Sequence, residues 1–249
     1  MIHSVEKALR ILELLASEAD REFPLRTIAD TLGMDKGTCV NIIKTMRERG
    51  YIDQELLRGG YKLGYKLYQL TGRNIENDSF TKIARRDVED LGHRLNETAI
   101  LSVIRNDHRI VLYSTVPDRE IIVRPTGEKS VYQACTGRVI LANYSPSHLE
   151  KFIVRSGLPG REEWPEIYRS LHPEGELINS LTKIKQDGYA IHNDPKGIVG
   201  FAAPLFKAGH VAGSVGVYLP AERLSDEKAI LDSVLACAGC INDKLKRSR

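Results

Sequence analysis

The polar side chains most suited to chemistry in this chain sit close together, in Asp35-Lys36-Gly37-Thr38-Cys39-Val40-Asn41-Ile42-Ile43-Lys44-Thr45. They suit nucleic acid better than catalysis. Thr38 and Asn41 carry a hydroxyl and an amide that can hydrogen-bond base edges, whereas Lys36 and Lys44 suit phosphates. Gly37 and Thr45 fall on the same expected exposed side. Further on, Arg58-Gly59-Gly60 places a cation at a turn, where Arg58 could reach the nucleic-acid backbone or a minor groove. Residues 36–62 hold six basic residues (Lys36, Lys44, Arg47, Arg49, Arg58, Lys62) against three acidic ones (Glu48, Asp53, Glu55), inside a segment, residues 1–64, that is neutral overall. A local basic surface of this kind is consistent with phosphate contact.

Two other groups of residues could carry chemistry. Ala134-Cys135-Thr136-Gly137 precedes an apolar run that reads as a helix. Free N–H groups and partial positive charge at a helix start can seat a carboxylate, although Thr136 could equally be a plain N-cap. Cys237 and Cys240 form a CxxC, which could be redox-active or half of a zinc site. They fall at i and i+3 of a helical run with no second CxxC or paired histidines, so small core cysteines are the expected reading. There is no P-loop, GxSxG or HExxH. Cys135 with His192 is a conceivable nucleophile and base, but such a pair needs an orienting third group. No enzyme, cofactor or metal is expected.

The elements that must position these residues follow from periodicity. Apolar residues at Val5, Ala8, Leu9, Leu12, Leu15, Ala16 and Ala19 predict a first helix over 5–19, with Ser4 as its cap. A second helix is predicted over 24–34, with Pro24 in its first turn and Gly33 as its stop. A third, capped by Asp35, runs to about Arg49 with Cys39, Ile42, Ile43 and Met46 inward, and Gly50 ends it. Ala29 and Gly33 are the small residues that a helix-turn-helix needs at its crossing and turn, and the second helix of such a pair enters the major groove. Strands at 51–54 and 61–63 complete a winged helix-turn-helix. A linker helix and polar hinge are predicted over 65–80, weakest at Gly72-Arg73-Asn74 and Asn77-Asp78-Ser79. Beyond them the pattern turns mixed: helices near 81–95, 136–144, 147–155, 179–187 and 226–246, and strands at 99–104, 109–116, 121–124, 200–206 and 211–219. The expected class is α+β.

The motifs resemble those of the IclR (isocitrate lyase regulator) family over nearly the whole chain. SVEKALRILELLA resembles its first helix, LRTIADTLGMDKGTCVNIIKTMRERGYI its helix-turn-helix, and YKLGYKL its wing strand and linker. ACTGRVILA, IKQDGYAIHND, GIVGFAAPLF and GSVGVYLPAERL follow in order in its sensor region. The resemblance implies a winged helix-turn-helix (1–64), a linker helix and hinge (65–80) and a GAF-like α/β effector-binding and oligomerisation domain (81–249). It implies dimers or dimers of dimers on palindromic double-stranded DNA, controlled by a small metabolite. By the family's pattern Tyr132, Cys135, Thr136 and Gly137 line one side of the effector pocket, His192, Ile198 and Gly200 a second, and Gly216 and Tyr218 a third, with Ile121 closing it. Gly200 and Gly216 would leave room for the ligand, which is expected to be anionic or aromatic. Two positions depart: Gly37 stands where the family usually has Ser, and Asn41, which favours adenine, where it usually has Arg. The segment between Asp194 and Gly197 is also shorter than usual.

The remaining bounds agree. The chain has 249 residues, a net charge of +3, 42% hydrophobic residues and four cysteines, which suits two ordinary domains without a disulfide framework. No apolar run spans a membrane, and no signal peptide is evident. A reducing cytoplasm is the expected compartment. The alternative function is a winged helix that binds protein rather than DNA.

Overall fold

The computed structural model describes residues 2–18, 21–54, 59–71, 79–124, 128–194 and 197–248. Arg58 and the hinge residues 72–78 lie outside them. The chain forms two compact units, residues 1–77 and 78–249.

In the first unit, α1 (His3–Ser17), α2 (Leu25–Leu32) and α3 (Lys36–Glu48) enclose a core of Ile11, Leu15, Phe23, Ile28, Ala29, Cys39, Ile43, Met46 and Ile52. Helix α1 starts earlier than its apolar pattern suggests. Ile2, not Ser4, is its N-cap residue, because the Ile2 carbonyl already accepts from the N–H groups of Val5 and Glu6. Pro24 likewise sits at the cap position of α2 rather than in its first turn. Gly33 ends α2 in the left-handed region, φ +61°, a conformation that glycine adopts without steric cost. Strands β1 (Ile52–Asp53) and β2 (Lys62–Leu63) pair antiparallel, and a bridge between Phe23 and Tyr61 ties the hairpin to the entrance of α2. Helix α4 (Tyr65–Thr71) follows.

The second unit is a six-stranded antiparallel sheet with helices on both faces. After α5 (Ser79–Leu95) come β3 (Thr98–Arg105), β4 (His108–Ser114), β5 (Glu128–Ser130), α6 (Cys135–Ala142), α7 (Pro146–Ser156), α8 (Pro173–Asp187), β6 (Ala190–Asp194), β7 (Ile198–Lys207), β8 (His210–Pro220) and α9 (Glu227–Arg247). The strand order is β5-β4-β3-β8-β7-β6. Period-2 alternation divides the strands cleanly. Ala99, Leu101, Val103, Val199, Phe201, Ala203, Val215, Val217 and Leu219 join a core with α5 and α9. Ile100, Ala202 and Tyr218 face the opposite way, toward Cys135 and Val139 of α6. A third core, around Phe152, Trp164, Ile167, Leu177 and Leu181, fills the space among α6, α7 and α8.

Residues 121–124 are not a strand. Two of their carbonyls accept from side chains instead of a neighbouring ladder: Arg223 Nη1 donates to Ile121 O (3.0 Å) and Thr98 Oγ1 to Val123 O (2.8 Å). The same Arg223 pairs through both Nε and Nη2 with the buried carboxylate of Glu97, each at 2.7 Å. The short edge strands β5 and β6 have no clear signature in the sequence. Among the described residues no helix is long and apolar enough to cross a membrane.

Phe152 is fully buried and meets Tyr132 and Tyr144 edge-on, with ring centroids 5.8 and 6.2 Å away. Phe152→Ala should therefore cost about 3–5 kcal/mol of unfolding free energy, read as a lower urea midpoint by circular dichroism.

Candidate functional site

Helix α3 is fixed at its start by a local cap. Asp35 accepts from the Thr38 N–H at 3.0 Å. This backbone bond, with further bonds from Gly37 and the Thr38 side chain, holds the Asp35 carboxyl below the usual carboxylate range. Cys39, Ile43 and Met46 turn inward. Gly37, Asn41, Lys44 and Glu48, spaced at i, i+4, i+7 and i+11, run along the opposite, exposed side. Lys36 is exposed at the first turn. Thr38 is half-buried and engaged with Asp35, and Thr45 Oγ1 donates to the Asn41 carbonyl (3.0 Å), so neither hydroxyl is as open as expected. Arg58 lies outside the described residues. Val40, 42% exposed, and Arg47 also lie on the outer side; 3.6-residue periodicity alone would have marked them.

In the second unit α6 lies against the sheet with unusually little clearance. A Cβ on Gly216 would come within 2.6 Å of Phe201 O and 2.7 Å of Thr136 Cγ2; one on Gly200 would come within 2.6 Å of the Tyr218 ring and 2.8 Å of Cys135 Sγ. A Cβ on Gly137 would fall 2.2 Å from Val131 O. Hydrogen bonds lock the contact. Cys135 Sγ donates to the Tyr218 hydroxyl (3.2 Å), that hydroxyl shares a bond with Thr136 Oγ1 (3.1 Å), and Ser214 Oγ donates to Thr136 O (2.9 Å). Burial pushes the Tyr218 phenol well up and the Cys135 thiol to about 11. Cys135 is thus neither a thiolate nor a nucleophile at neutral pH.

Beside this contact lies a cavity of about 50 Å³, lined by Ile100, Arg109, Val123, Arg124, Gln133, Ala134, His192, Asp194, Ile198 and Tyr218. It collects three of the expected pocket residues: His192, Ile198 and Tyr218. The others lie elsewhere. Tyr132 points into the third core and donates from its hydroxyl to Gly157 O (2.8 Å). Cys135 and Thr136 are sealed behind Tyr218, and Gly137 backs onto Val131. Gly200 and Gly216 leave no room for a ligand, because Tyr218, Cys135 and Thr136 already fill the space. Ile121 is 71% exposed and does not line the cavity.

Arg109 was missed. It is 2% exposed, and burial holds its guanidinium below the usual arginine range. A charged residue at an inward-facing strand position, two before Val111, was the available signal.

The CxxC also differs from expectation: Cys237 is buried and its Sγ donates to Asp87 O (3.4 Å), but Cys240 is exposed rather than core. Among the described residues no group of three or more His, Cys, Asp or Glu side chains is placed to hold a metal ion.

Comparison with known proteins agrees with this architecture. Residues 4–56 match the IclR helix-turn-helix domain and residues 73–243 the bacterial transcriptional regulator IclR C-terminal domain. The chain belongs to the IclR family of bacterial transcriptional regulators. It is 28% identical to the glycerol operon regulatory protein of Streptomyces griseus, covering 100% of this chain and 98% of that one. It is 25% identical to the HTH-type transcriptional regulator KdgR of Escherichia coli (strain K12), covering 91% and 86%. Among solved structures, an IclR homologue from Microbacterium hydrocarbonoxydans complexed with 4-hydroxybenzoate has the same fold, with a TM-score of 0.75 at 19% identity over 98% of this chain and 100% of that one.

The cysteines give a direct check on this packing. Iodoacetamide at neutral pH should label the exposed Cys240 in the native protein, and Cys39, Cys135 and Cys237 only after unfolding, as read by peptide mass mapping. Rapid native labelling of Cys135 would contradict the sealed contact at Tyr218.

Proposed function

We propose that this regulator reads a palindromic operator through α3 and changes its operator affinity when a small molecule enters the cavity beside Tyr218. The observation that carries the DNA half of this reading is the outward stripe of α3. Asn41 stands at its centre with a side-chain amide suited to adenine. Gly37 beside it lets the helix backbone come close to DNA, and Lys36 and Lys44 suit flanking phosphates. Thr38 and Thr45 support the helix more than they read bases, and Arg58 would extend the contact from the wing.

The effector half rests on the cavity and on the family. His192, Ile198 and Tyr218 form its wall, and the structural relative holding 4-hydroxybenzoate supports a small-molecule role for this domain. The effector is anionic or aromatic. In this reading residues 1–64 bind DNA, 65–80 link, and 81–249 sense and oligomerise. The active species is a cytoplasmic homodimer or dimer of dimers, since two copies are needed to read two half-sites of a palindrome. The protein regulates rather than catalyses, and needs no cofactor.

The test is fluorescence anisotropy with DNA from upstream of the protein's own gene, at two salt concentrations. Wild type should bind a specific fragment in preference to random DNA. Asn41→Ala should lose about 1–3 kcal/mol of that preference. Lys44→Ala should weaken specific and random DNA alike and reduce the salt slope by about one. Failure to bind any DNA, with or without added metabolites, would leave a protein-interaction module as the better reading.

A further inference from the structure

Helix α3 carries one exposed residue that neither packing nor charge explains. Val40 is 42% exposed. Among the described residues of the first unit it belongs neither to the core nor to the side chains packed against it. Valine is also a weaker helix former than alanine, leucine or lysine, because its branched Cβ crowds the preceding turn. At this position it weakens the helix and recovers little by burial.

The exposed Val5 and Leu9 of α1 are placed differently. They line a groove with Asn41, Ile42 and Thr45 of α3, so one flank of α3 turns toward α1. Val40 lies off that groove, on the other flank. Its helical neighbours there are Lys36 at i−4, Lys44 at i+4 and Arg47 at i+7, all exposed. Cations in such a ring suit the phosphates that wall a major groove. The groove floor between those walls displays one apolar group, the 5-methyl of thymine. Gly37 brings that floor within reach of a side chain as short as valine. Side chains on a helix lean toward its N-terminus, so Val40 and Asn41 both project over the turn that Gly37 occupies, where no side chain holds the backbone away. The two are consecutive and diverge by about 100° around the helix axis, so they face different base pairs.

We propose that Val40 reads a thymine through its 5-methyl group, within about two base pairs of the adenine that Asn41 contacts. The assignment rests on the reading of DNA by α3 proposed above and deepens it: each half-site carries two A·T pairs, one recognised by hydrogen bonds and the other by apolar contact.

The experiment starts from sites that the full-length protein enriches from random double-stranded DNA. Each thymine of an enriched site is replaced in turn by uracil, which pairs identically but lacks the methyl group, and binding is followed by fluorescence anisotropy. One thymine in each half-site should respond. Replacing it in both halves should weaken wild type about fifteenfold, or about fourfold for each buried carbon. Val40→Ala should bind the thymine and uracil forms within about twofold of each other, near the affinity of wild type for the uracil form. Alanine is the better helix former, and circular dichroism checks that the variant folds. If no sequence is enriched, or if Asn41→Ala binds the enriched sites as tightly as wild type, the reading of DNA by α3 fails and this assignment falls with it. If Asn41→Ala loses the enriched sites but no thymine responds to uracil, or the response is unchanged in Val40→Ala, α3 still reads the operator and the assignment to Val40 is overturned.

Discussion

The second unit depends on one close approach, that of α6 to strands β7 and β8. A helix that rests on ordinary side chains keeps its axis roughly 10 Å from a sheet, much as two sheets do. Here Gly200 and Gly216 remove the side chains that would hold it off, and Gly137 lets its first turn press on Val131 O. The space gained is used at once by Cys135, Thr136 and the Tyr218 ring. That is why the three hydrogen bonds among Cys135, Thr136, Tyr218 and Ser214 can form, and why the cavity beside them is small. A side chain at any of the three glycines would have to push the helix outward, and the polar atoms of Thr136, Ser214 and Tyr218, all inside the core, would then lose partners at a cost of about 1–3 kcal/mol each.

The opposite face of the sheet follows simpler rules. Every inward residue of β3, β7 and β8 on that side is apolar, and α5 and α9 cover it. Against this regularity Arg109 stands out. It occupies a position on β4 where alternation calls for an apolar side chain, and it brings a charge into surroundings that resist charge. Sequences that otherwise agree with their fold at every level break local rules mainly where function requires it. Arg138 breaks the same rule without opening onto the cavity: its Nε donates to Tyr132 O (2.7 Å), Nη2 to Glu163 O (2.9 Å), and its guanidinium stacks over Trp164. Arg138 joins α6 to its surroundings, and Arg109 lines the cavity.

What could be read from the sequence was what local physics decides. Asp35 caps α3 and Gly33 turns left-handed through interactions within a few residues, so both were legible, as were the inner stripe of α3 and the β7–β8 hairpin; in α1 the expected inner residues Val5 and Leu9 are exposed, and Ile11 is buried instead. Failures arose where partners lie far along the chain. The strand expected at 121–124 is undone by Arg223 and Thr98, about 100 and 25 residues away. Strands β5 and β6 exist because β4 and β7 offer them an edge. The pocket was only partly legible for a related reason. A glycine on a strand announces close approach, but not whether a ligand or another part of the chain makes it. Gly200 and Gly216 are approached by the chain itself, and Tyr132 turns toward Phe152.

The geometry also constrains how a ligand could be felt. A ligand shifts a conformational equilibrium only by the difference in its affinity for the two states, and coupling between sites typically amounts to about 1–3 kcal/mol. A ligand small enough for about 50 Å³ buries too little apolar surface to supply that difference by contact area alone. The difference must then come from a displacement of the wall itself, present in one state and absent in the other. Tyr218 is the wall residue best placed to distinguish two such states, because its ring faces the cavity while its hydroxyl holds the first turn of α6. A displacement of the ring must either carry that turn with it or break its bonds to Cys135 and Thr136, and close-packed elements change between discrete arrangements more readily than they deform smoothly. The same contact that leaves so little room for a ligand therefore gives a small ligand a helix to move.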